Sequence, residues 1–177
     1  MGYIYVLPIG AIDQMVLKSL AAGIKLKFNH QCSILGNIGV PSHAFDSKRN
    51  QYSSAEILKK IVDITPNDAL KISGVTDVDL FIPVLTFVFG QAQLNGRVSI
   101  ISLHRLKQEY YGLPANDSLL IERAIKEAIH EIGHTFGMTH CSDNKCVMYF
   151  SNSVRNVDMK TDNFCNSCLK LLSTKIA

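Results

Sequence analysis

Three histidines and one glutamate fall within eleven residues of this chain, between His130 and His140. His130 and His134 are four residues apart, so an α-helix places their imidazoles on one face, one turn apart. Glu131 lies on the same wall of that helix. His140 is six residues further on, which would carry it roughly 9 Å along the axis and to another face. The helix must therefore end first, and Gly137 is the predicted end because a left-handed backbone is cheap only for glycine.

This set of side chains predicts a hydrolytic zinc site. Three neutral imidazoles with one open position are typical of a catalytic zinc ion, whereas a structural zinc ion is closed by four protein ligands. The ion lowers the pKa of a water molecule in the open position from ~15.7 toward ~7 and polarises a carbonyl group. Glu131 is the predicted general base, which takes the proton of that zinc-bound water and passes it to the leaving amine. The alternative, in which the histidines only brace the fold, leaves Glu131 without a role.

Four of the five cysteines form two close pairs downstream of the histidines, Cys141 with Cys146 and Cys165 with Cys168. Two close pairs that converge from separate segments are typical of a tetrathiolate zinc knuckle. A reducing compartment favours a metal over disulfides, and two disulfides are the alternative. Because Cys141 directly follows His140, a metal on the cysteines would also hold the loop that carries the third histidine.

The apolar periodicity predicts the elements that position these residues. A helical apolar face places His130 and His134 near the carboxyl-terminal end of a long buried helix that follows the turn residues 114–118. Its members are Ile121, Ala124, Ile125, Ala128, Ile129 and Ile132. The other predicted elements are strands over residues 3–7, 24–28 and 78–81, helices over 13–22, 54–64 and 169–175, and a loop over 31–49.

A β-hairpin is predicted around Asn95 and Gly96, between strands over residues 81–94 and 97–103. Asn-Gly is the dipeptide that most favours a two-residue turn, because both central positions need positive φ. One strand of the hairpin is expected at a sheet edge, where an extended peptide can pair with its main chain. A hairpin in the interior of the sheet is the alternative.

The composition limits the classes of protein to which the chain can belong. Its 177 residues, 47% hydrophobic and 19% charged, predict one globular domain. A formal charge of +3 with scattered basic residues argues against a nucleic-acid or membrane partner, which would need a stripe of positive charge. A basic amino-terminal signal region and an apolar run of about eighteen residues are both missing, so a cytoplasmic location is expected. The chain is expected to be a monomer.

The histidine run followed by the cysteine pairs resembles the archaemetzincins, zinc metallopeptidases of the metzincin clan. The resemblance extends over residues 77–168 and implies a peptidase with one catalytic and one structural zinc ion. The gap between Met148 and Cys165 is sixteen residues, one shorter than the spacing associated with the family. The residues that carry the resemblance are HEIGHTFGMTH, then Cys141, Cys146, Met148 and Cys165-Asn-Ser-Cys168.

The resemblance also implies a fold and further roles. It implies an α+β fold in which a twisted mixed β-sheet, a backing helix and the active-site helix stand above a small zinc-stabilised C-terminal subdomain. A single metallopeptidase domain would span residues 1–177, with an N-terminal subdomain over 1–137 and a C-terminal subdomain over 138–177. Met148 would be the Met-turn residue beneath the catalytic zinc, although without the resemblance it reads as an ordinary core residue. Some metzincins have a metal-binding tyrosine at the position of Phe150, so no fifth protein ligand is expected.

The resemblance places the substrate as well. A peptide would bind in an extended form, antiparallel to the sheet edge within residues 84–93. Two other functions are open alternatives. A DNA-associated protease with the same histidine motif would need clustered basic residues near the cysteines, where Lys145, Arg155 and Lys160 are sparse. A zinc-containing module that binds peptides with little turnover is disfavoured by the presence of Glu131.

Overall fold

A five-stranded mixed sheet and a smaller three-stranded sheet form the centre of the chain, which the computed structural model describes from residue 2 to residue 176. The strands are β1 (Tyr3–Ile9), β2 (Cys32–Ile34), β3 (Phe45–Asp46), β4 (Gln51–Ser53), β5 (Ala69–Thr76), β6 (Leu80–Phe81), β7 (Gly90–Ala92) and β8 (Val98–Ser102). The α-helices are α1 (Gln14–Phe28), α2 (Ser54–Asp63), α3 (Asp117–Thr135), α4 (Val154–Met159) and α5 (Asn166–Ile176), with 3₁₀ helices at Ser42–Ala44, His104–Leu106 and Glu109–Tyr111.

The predicted α+β class with a mixed sheet is confirmed. The predicted domain ends at residues 1 and 177 lie outside the described residues, and the division into two subdomains stays a prediction. None of the helices between residues 2 and 176 has the length and apolar content that crossing a bilayer requires.

The large sheet has the strand order β2-β1-β5-β8-β7. Its first four strands run parallel, and β7 pairs antiparallel with β8 at one edge. Helices α1 and α3 cover one face of this sheet and α2 covers the other, so the inner strands β1, β5 and β8 are buried on both faces. The expectation that one hairpin strand forms a sheet edge is therefore confirmed for β7.

Helix α1 continues through the segment that was predicted as a strand over residues 24–28. Ile24 and Phe28 extend the buried stripe of Leu20 at a spacing of four residues, while Leu26 points outward with 78% of its surface exposed. Apolar and polar residues alternate here as they do in a strand, but the residues that are buried recur with the period of a helix. The helix ends at Asn29, whose φ of 53° is left-handed.

Other boundaries also differ from the predictions. Strand β1 continues past Pro8, whose carbonyl accepts a hydrogen bond from the Ile38 N–H at 3.1 Å. Strand β5 was not predicted, and the region predicted as a loop contains β2 and β3. Residues 82–87 form turns and bends instead of the predicted long strand, and Val88 makes an isolated antiparallel bridge with Leu80, so that strand is shortened to β7. Helix α2 agrees with its prediction to within one residue, and α5 begins three residues before its predicted start.

The hairpin turn is longer than the predicted two-residue turn. Only Asn95 has a positive φ, at 57°, and Gly96 does not. The Gly96 N–H donates to the Gln93 carbonyl at 2.9 Å, so the turn is centred one residue earlier. A tertiary contact accounts for this conformation, because the Asn95 N–H donates to the His134 carbonyl of α3 at 2.9 Å.

Charged side chains join α3 to the C-terminal part of the chain. The Arg123 guanidinium donates to both carboxylate oxygens of Asp158 at 2.7 Å, and it is 4% exposed. Lys160 Nζ lies 2.8 Å from Glu127 Oε1, and both side chains are buried. Each ion of such a pair loses several kcal/mol of hydration, so each needs the other.

Replacing Lys160 with methionine should leave the Glu127 carboxylate buried without its cation. We expect the free energy of unfolding to fall by roughly 3–5 kcal/mol, as measured by urea denaturation of the purified protein. The control is Lys18→Met at an exposed lysine of α1, which should change it by less than about 0.5 kcal/mol. Equal effects of the two substitutions would show that the buried pair does not stabilise the fold.

Candidate active site

Helix α3 ends in a turn that separates the third histidine from the first two. Gly137 adopts a φ of 80°, and its N–H donates to the His134 carbonyl at 2.8 Å. The Met138 N–H donates to the Gly133 carbonyl at 3.2 Å, which completes a Schellman motif. The helix therefore ends before His140 through a left-handed glycine, in agreement with the sequence analysis.

The structure brings His130, His134 and His140 together. One ring nitrogen of each lies within 4.8 Å of the other two. The first two rings are fixed by backbone carbonyls: Nδ1 of His130 lies 2.8 Å from the Val147 carbonyl oxygen, and Nδ1 of His134 lies 2.7 Å from that of Met138. A carbonyl oxygen only accepts, so each Nδ1 carries the proton and each Nε2 is left with a lone pair.

The two lone pairs face each other across 3.0 Å between the Nε2 atoms of His130 and His134. Neither nitrogen can donate to the other, so this approach is unfavourable unless a cation lies on the lone pairs. Ligands of a tetrahedral zinc ion at ~2.0–2.1 Å would be about 3.3 Å apart, close to the observed separation. Burial lowers the pKa of His130 well below its ordinary value and also lowers that of His134, which keeps both rings neutral. The donor set fits a zinc ion.

Glu131 lies beside the histidines with only 6% of its surface exposed. Strand β7 approaches it closely, because a Cβ atom added to Gly90 would lie 2.7 Å from Glu131 Cγ and 2.8 Å from its Oε1. Burial raises the pKa of Glu131 well above its ordinary value, and the nearby Glu127 carboxylate adds to the rise while Lys160 opposes it. The carboxylate is thus a stronger proton acceptor than an exposed glutamate.

Met148 is fully buried and packs against α3. A Cβ atom added to Gly133 would lie 2.6 Å from the Met148 sulfur, so the glycine between the first two histidines admits this side chain. The Met148 carbonyl accepts from the Cys141 N–H at 3.0 Å. Met148 therefore lies at the base of the helix segment that carries the histidines, which is where a Met-turn residue is expected.

A cleft of about 360 Å³ opens beside the histidines and Glu131. Its lining includes residues of the 82–88 segment, the edge strand β7 and, from the chain beyond α3, Phe150. The expected peptide-binding edge over residues 84–93 is thus a strand only from Gly90 to Ala92, and the residues before it line the cleft as turns.

The four downstream cysteines form a second cluster, in which all four sulfur atoms lie within 4.8 Å of one another. All are free thiols, so the arrangement found is not the alternative of two disulfides. Sγ of Cys141 and Sγ of Cys165 are 3.8 Å apart, and ligands of a tetrahedral zinc ion at ~2.3 Å would be about 3.8 Å apart. The Cys165 N–H points at Sγ of Cys146 at 3.3 Å. This donor set also fits a zinc ion.

Three residues around the site were not found from the sequence as site residues. Gly90 gave no signal because it follows an apolar run that resembled a strand. Lys160 was noted only as one of a few sparse basic residues near the cysteines, and it is buried beside Glu127. Lys71 lies on the unpredicted strand β5, and its Nζ donates to the Thr135 carbonyl at 2.7 Å. Each of these roles depends on a partner distant in sequence, so no local pattern marks it.

Known proteins share this arrangement of sequence and fold. The family model described as Peptidase family M54 matches residues 13–174, a range that holds all seven candidate metal ligands. An archaemetzincin from Methanocaldococcus jannaschii is 44% identical over 171 residues, which cover 95% of this chain and 91% of that protein.

Two solved structures are similar over nearly their whole length. The crystal structure of archaemetzincin from Archaeoglobus fulgidus complexed with malonate has 36% sequence identity and a TM-score of 0.83, with 96% of this chain and 99% of that chain covered. The crystal structure of a zinc-dependent peptidase from Methanocorpusculum labreanum has 33% identity and a TM-score of 0.86, with the same coverage.

Proposed function

Because the chain belongs to peptidase family M54, the archaemetzincins, it is a zinc metallopeptidase, and we propose that it hydrolyses peptide bonds with Glu131 as the general base. His130, His134 and His140 hold the catalytic zinc ion in this proposal. The observation that supports it is that the Nε2 lone pairs of His130 and His134 face each other across 3.0 Å, next to a buried carboxylate in an open cleft.

The chain's own residues have distinct tasks in this mechanism. Zinc, when bound, supplies Lewis-acid chemistry that acidifies a water molecule and polarises the substrate carbonyl. Oε of Glu131 accepts the proton of the attacking water and later donates it to the leaving amine. Burial among β7 and α3 raises the proton affinity of this carboxylate, which suits a group that must first take and then give a proton.

In this proposal the edge strand β7 orients the substrate. A peptide in extended form would pair antiparallel with β7, whose outer edge has no partner strand within residues 2–176. Such pairing uses main-chain groups and is independent of side chains. Leu85, Phe87 and Val88 add apolar surface to the cleft beside this edge, against which apolar side chains of the peptide can pack.

The cysteine cluster holds a second, structural zinc ion in this proposal. Cys141 and Cys146 come from the segment after His140, and Cys165 and Cys168 come from the start of α5. A closed four-thiolate site leaves no open position for a substrate. It acts by fixing the segment between the third histidine and Met148.

Glu131→Gln tests the general base. The amide keeps the shape of the side chain but cannot accept the proton, so we expect cleavage to slow by at least ~10² while zinc binding persists. The measurement is a peptide-library digest analysed by mass spectrometry, with zinc content by elemental analysis. The control is Glu122→Gln at an exposed position on the same helix, which should cleave at the parent rate.

Unchanged cleavage by Glu131→Gln would reject this mechanism. A parent chain that binds zinc on the histidines and cleaves no library peptide would instead favour the alternative of a peptide-binding module.

Joint replacement of Cys165 and Cys168 with serine tests the structural zinc. We expect the purified parent to hold close to two zinc ions per chain and the variant to lose the one on the cysteines. The control is Cys32→Ser, because burial raises the pKa of that isolated thiol to about 12 and it belongs to neither cluster. A variant that keeps the full zinc content would contradict the cysteine site.

Gly90→Ala tests the close approach of β7 to the general base. The added methyl group must displace Glu131, so we expect a rate loss of roughly 10²-fold with zinc retained. The methyl group also meets the Ile100 carbonyl oxygen at 2.7 Å, so some stability should be lost as well.

The control for this test is Gly74→Ala. Its methyl group would lie 2.8 Å from Ile61 Cδ1 on the face of the sheet covered by α2. Overpacking should cost each variant about 1–3 kcal/mol of unfolding free energy. Only Gly90→Ala should lose rate when both are assayed well below their melting temperatures, and equal rates would show that the glycine does not position the base.

A further inference from the structure

The three histidines differ in what holds their rings. His130 and His134 each direct Nδ1 to a backbone carbonyl oxygen at 2.8 and 2.7 Å. His140 is exposed, and the described part of the chain offers its ring no hydrogen-bond partner. A metal-binding imidazole normally needs such a partner to fix its orientation. Among the described residues, packing contacts are therefore what can orient the His140 ring.

Three aromatic rings surround His140. Two belong to the other histidines, with centroid distances of 5.3 Å to His130 and 4.9 Å to His134. The third is Phe150, whose ring centroid lies 5.0 Å away at an interplanar angle of 58°. This tilted geometry lies within the range that aromatic pairs prefer. Phe150 is the only one of the three that is not itself a candidate ligand.

The backbone of Phe150 is well placed to support this contact. The preceding residue, Tyr149, forms a parallel bridge with Cys141, the residue that follows His140. The Tyr149 N–H also donates to the Cys146 carbonyl at 2.9 Å. The segments that carry the two rings are thus fastened to each other immediately beside the cysteine cluster.

We propose that Phe150 is a positioning residue that holds the His140 ring for the metal, in place of the hydrogen bond that the other two histidines have. This inference rests on the proposed function, because it assumes that the histidines bind zinc. A competing explanation is that Phe150, 47% exposed on the cleft wall, only contacts substrate. The two differ in one respect: a substrate contact changes KM and leaves metal affinity unchanged.

The test compares Phe150→Ala with Leu85→Ala. Leu85 also lines the cleft, with a similar exposure of 44%, but it belongs to the turns that precede β7. Zinc affinity is measured by competition with a chelator. Cobalt(II) substitution separates the two sites, because thiolate ligands give charge-transfer absorption that imidazole ligands lack. The cysteine signal also reports that each variant is folded.

We expect Phe150→Ala to weaken metal binding at the histidines by about 10-fold, within the ~10–100-fold range for lost supporting contacts. Metal binding at the cysteines should not change. Phe150→Trp keeps an aromatic ring without adding a metal ligand and should stay close to the parent affinity, and Leu85→Ala should stay within about twofold of the parent.

Equal metal affinities for Phe150→Ala and Leu85→Ala would overturn the inference, even if Phe150→Ala loses activity through KM. A failure of Phe150→Trp to keep affinity above that of Phe150→Ala would overturn it as well. A parent chain that binds cobalt(II) only at the cysteines, with no second equivalent bound, would instead overturn the proposed function. The two failures are therefore distinguishable.

Discussion

The carboxyl-terminal end of α3 is the constraint on which the rest of the site depends. A helix leaves its last carbonyls without partners inside the helix, and here the helix must also stop before His140. The His134 carbonyl accepts from the N–H groups of Gly137 and Asn95, and the Thr135 carbonyl accepts from Lys71 Nζ. Asn95 belongs to the hairpin turn, and Lys71 belongs to β5. The hairpin and β5 therefore fix the end of the helix, and with it the direction in which the chain leaves toward His140.

Buried charge imposes a second constraint on the same helix. Glu127 and Glu131 are one turn apart and both are nearly inaccessible to water, so their mutual repulsion is poorly screened. Lys160 pairs with the first and lowers the proton affinity of the second. A pair of this kind adds little net stability over apolar packing, but it fixes which segment may lie against the helix. It ties the chain beyond α4 to the wall of the cleft.

Some features of this structure follow from local sequence patterns, and others depend on tertiary contacts that a sequence does not show. The spacing of His130, His134 and Gly137 fixed the course of α3 and its end, because helical period and glycine conformation are properties of neighbouring residues. The apolar run over residues 82–88 was ambiguous, since a buried strand and a cleft wall share the same composition. The positions of Gly90 and Lys71 depend on contacts with α3, and no window of sequence contains both partners of either contact.

The segment that follows α3, residues 138–148, links the two proposed metal sites through the backbone. It supplies the carbonyls of Met138 and Val147 that fix the proton on Nδ1 of the helical histidines, and it supplies His140 itself. The same segment contains Cys141 and Cys146. Metal binding contributes folding free energy to the residues it joins, so a metal on the cysteines would hold the carbonyls as well as the third ring in place. The order of this segment therefore determines which tautomer the helical histidines adopt, and the cysteines directly after His140 are in position to maintain that order.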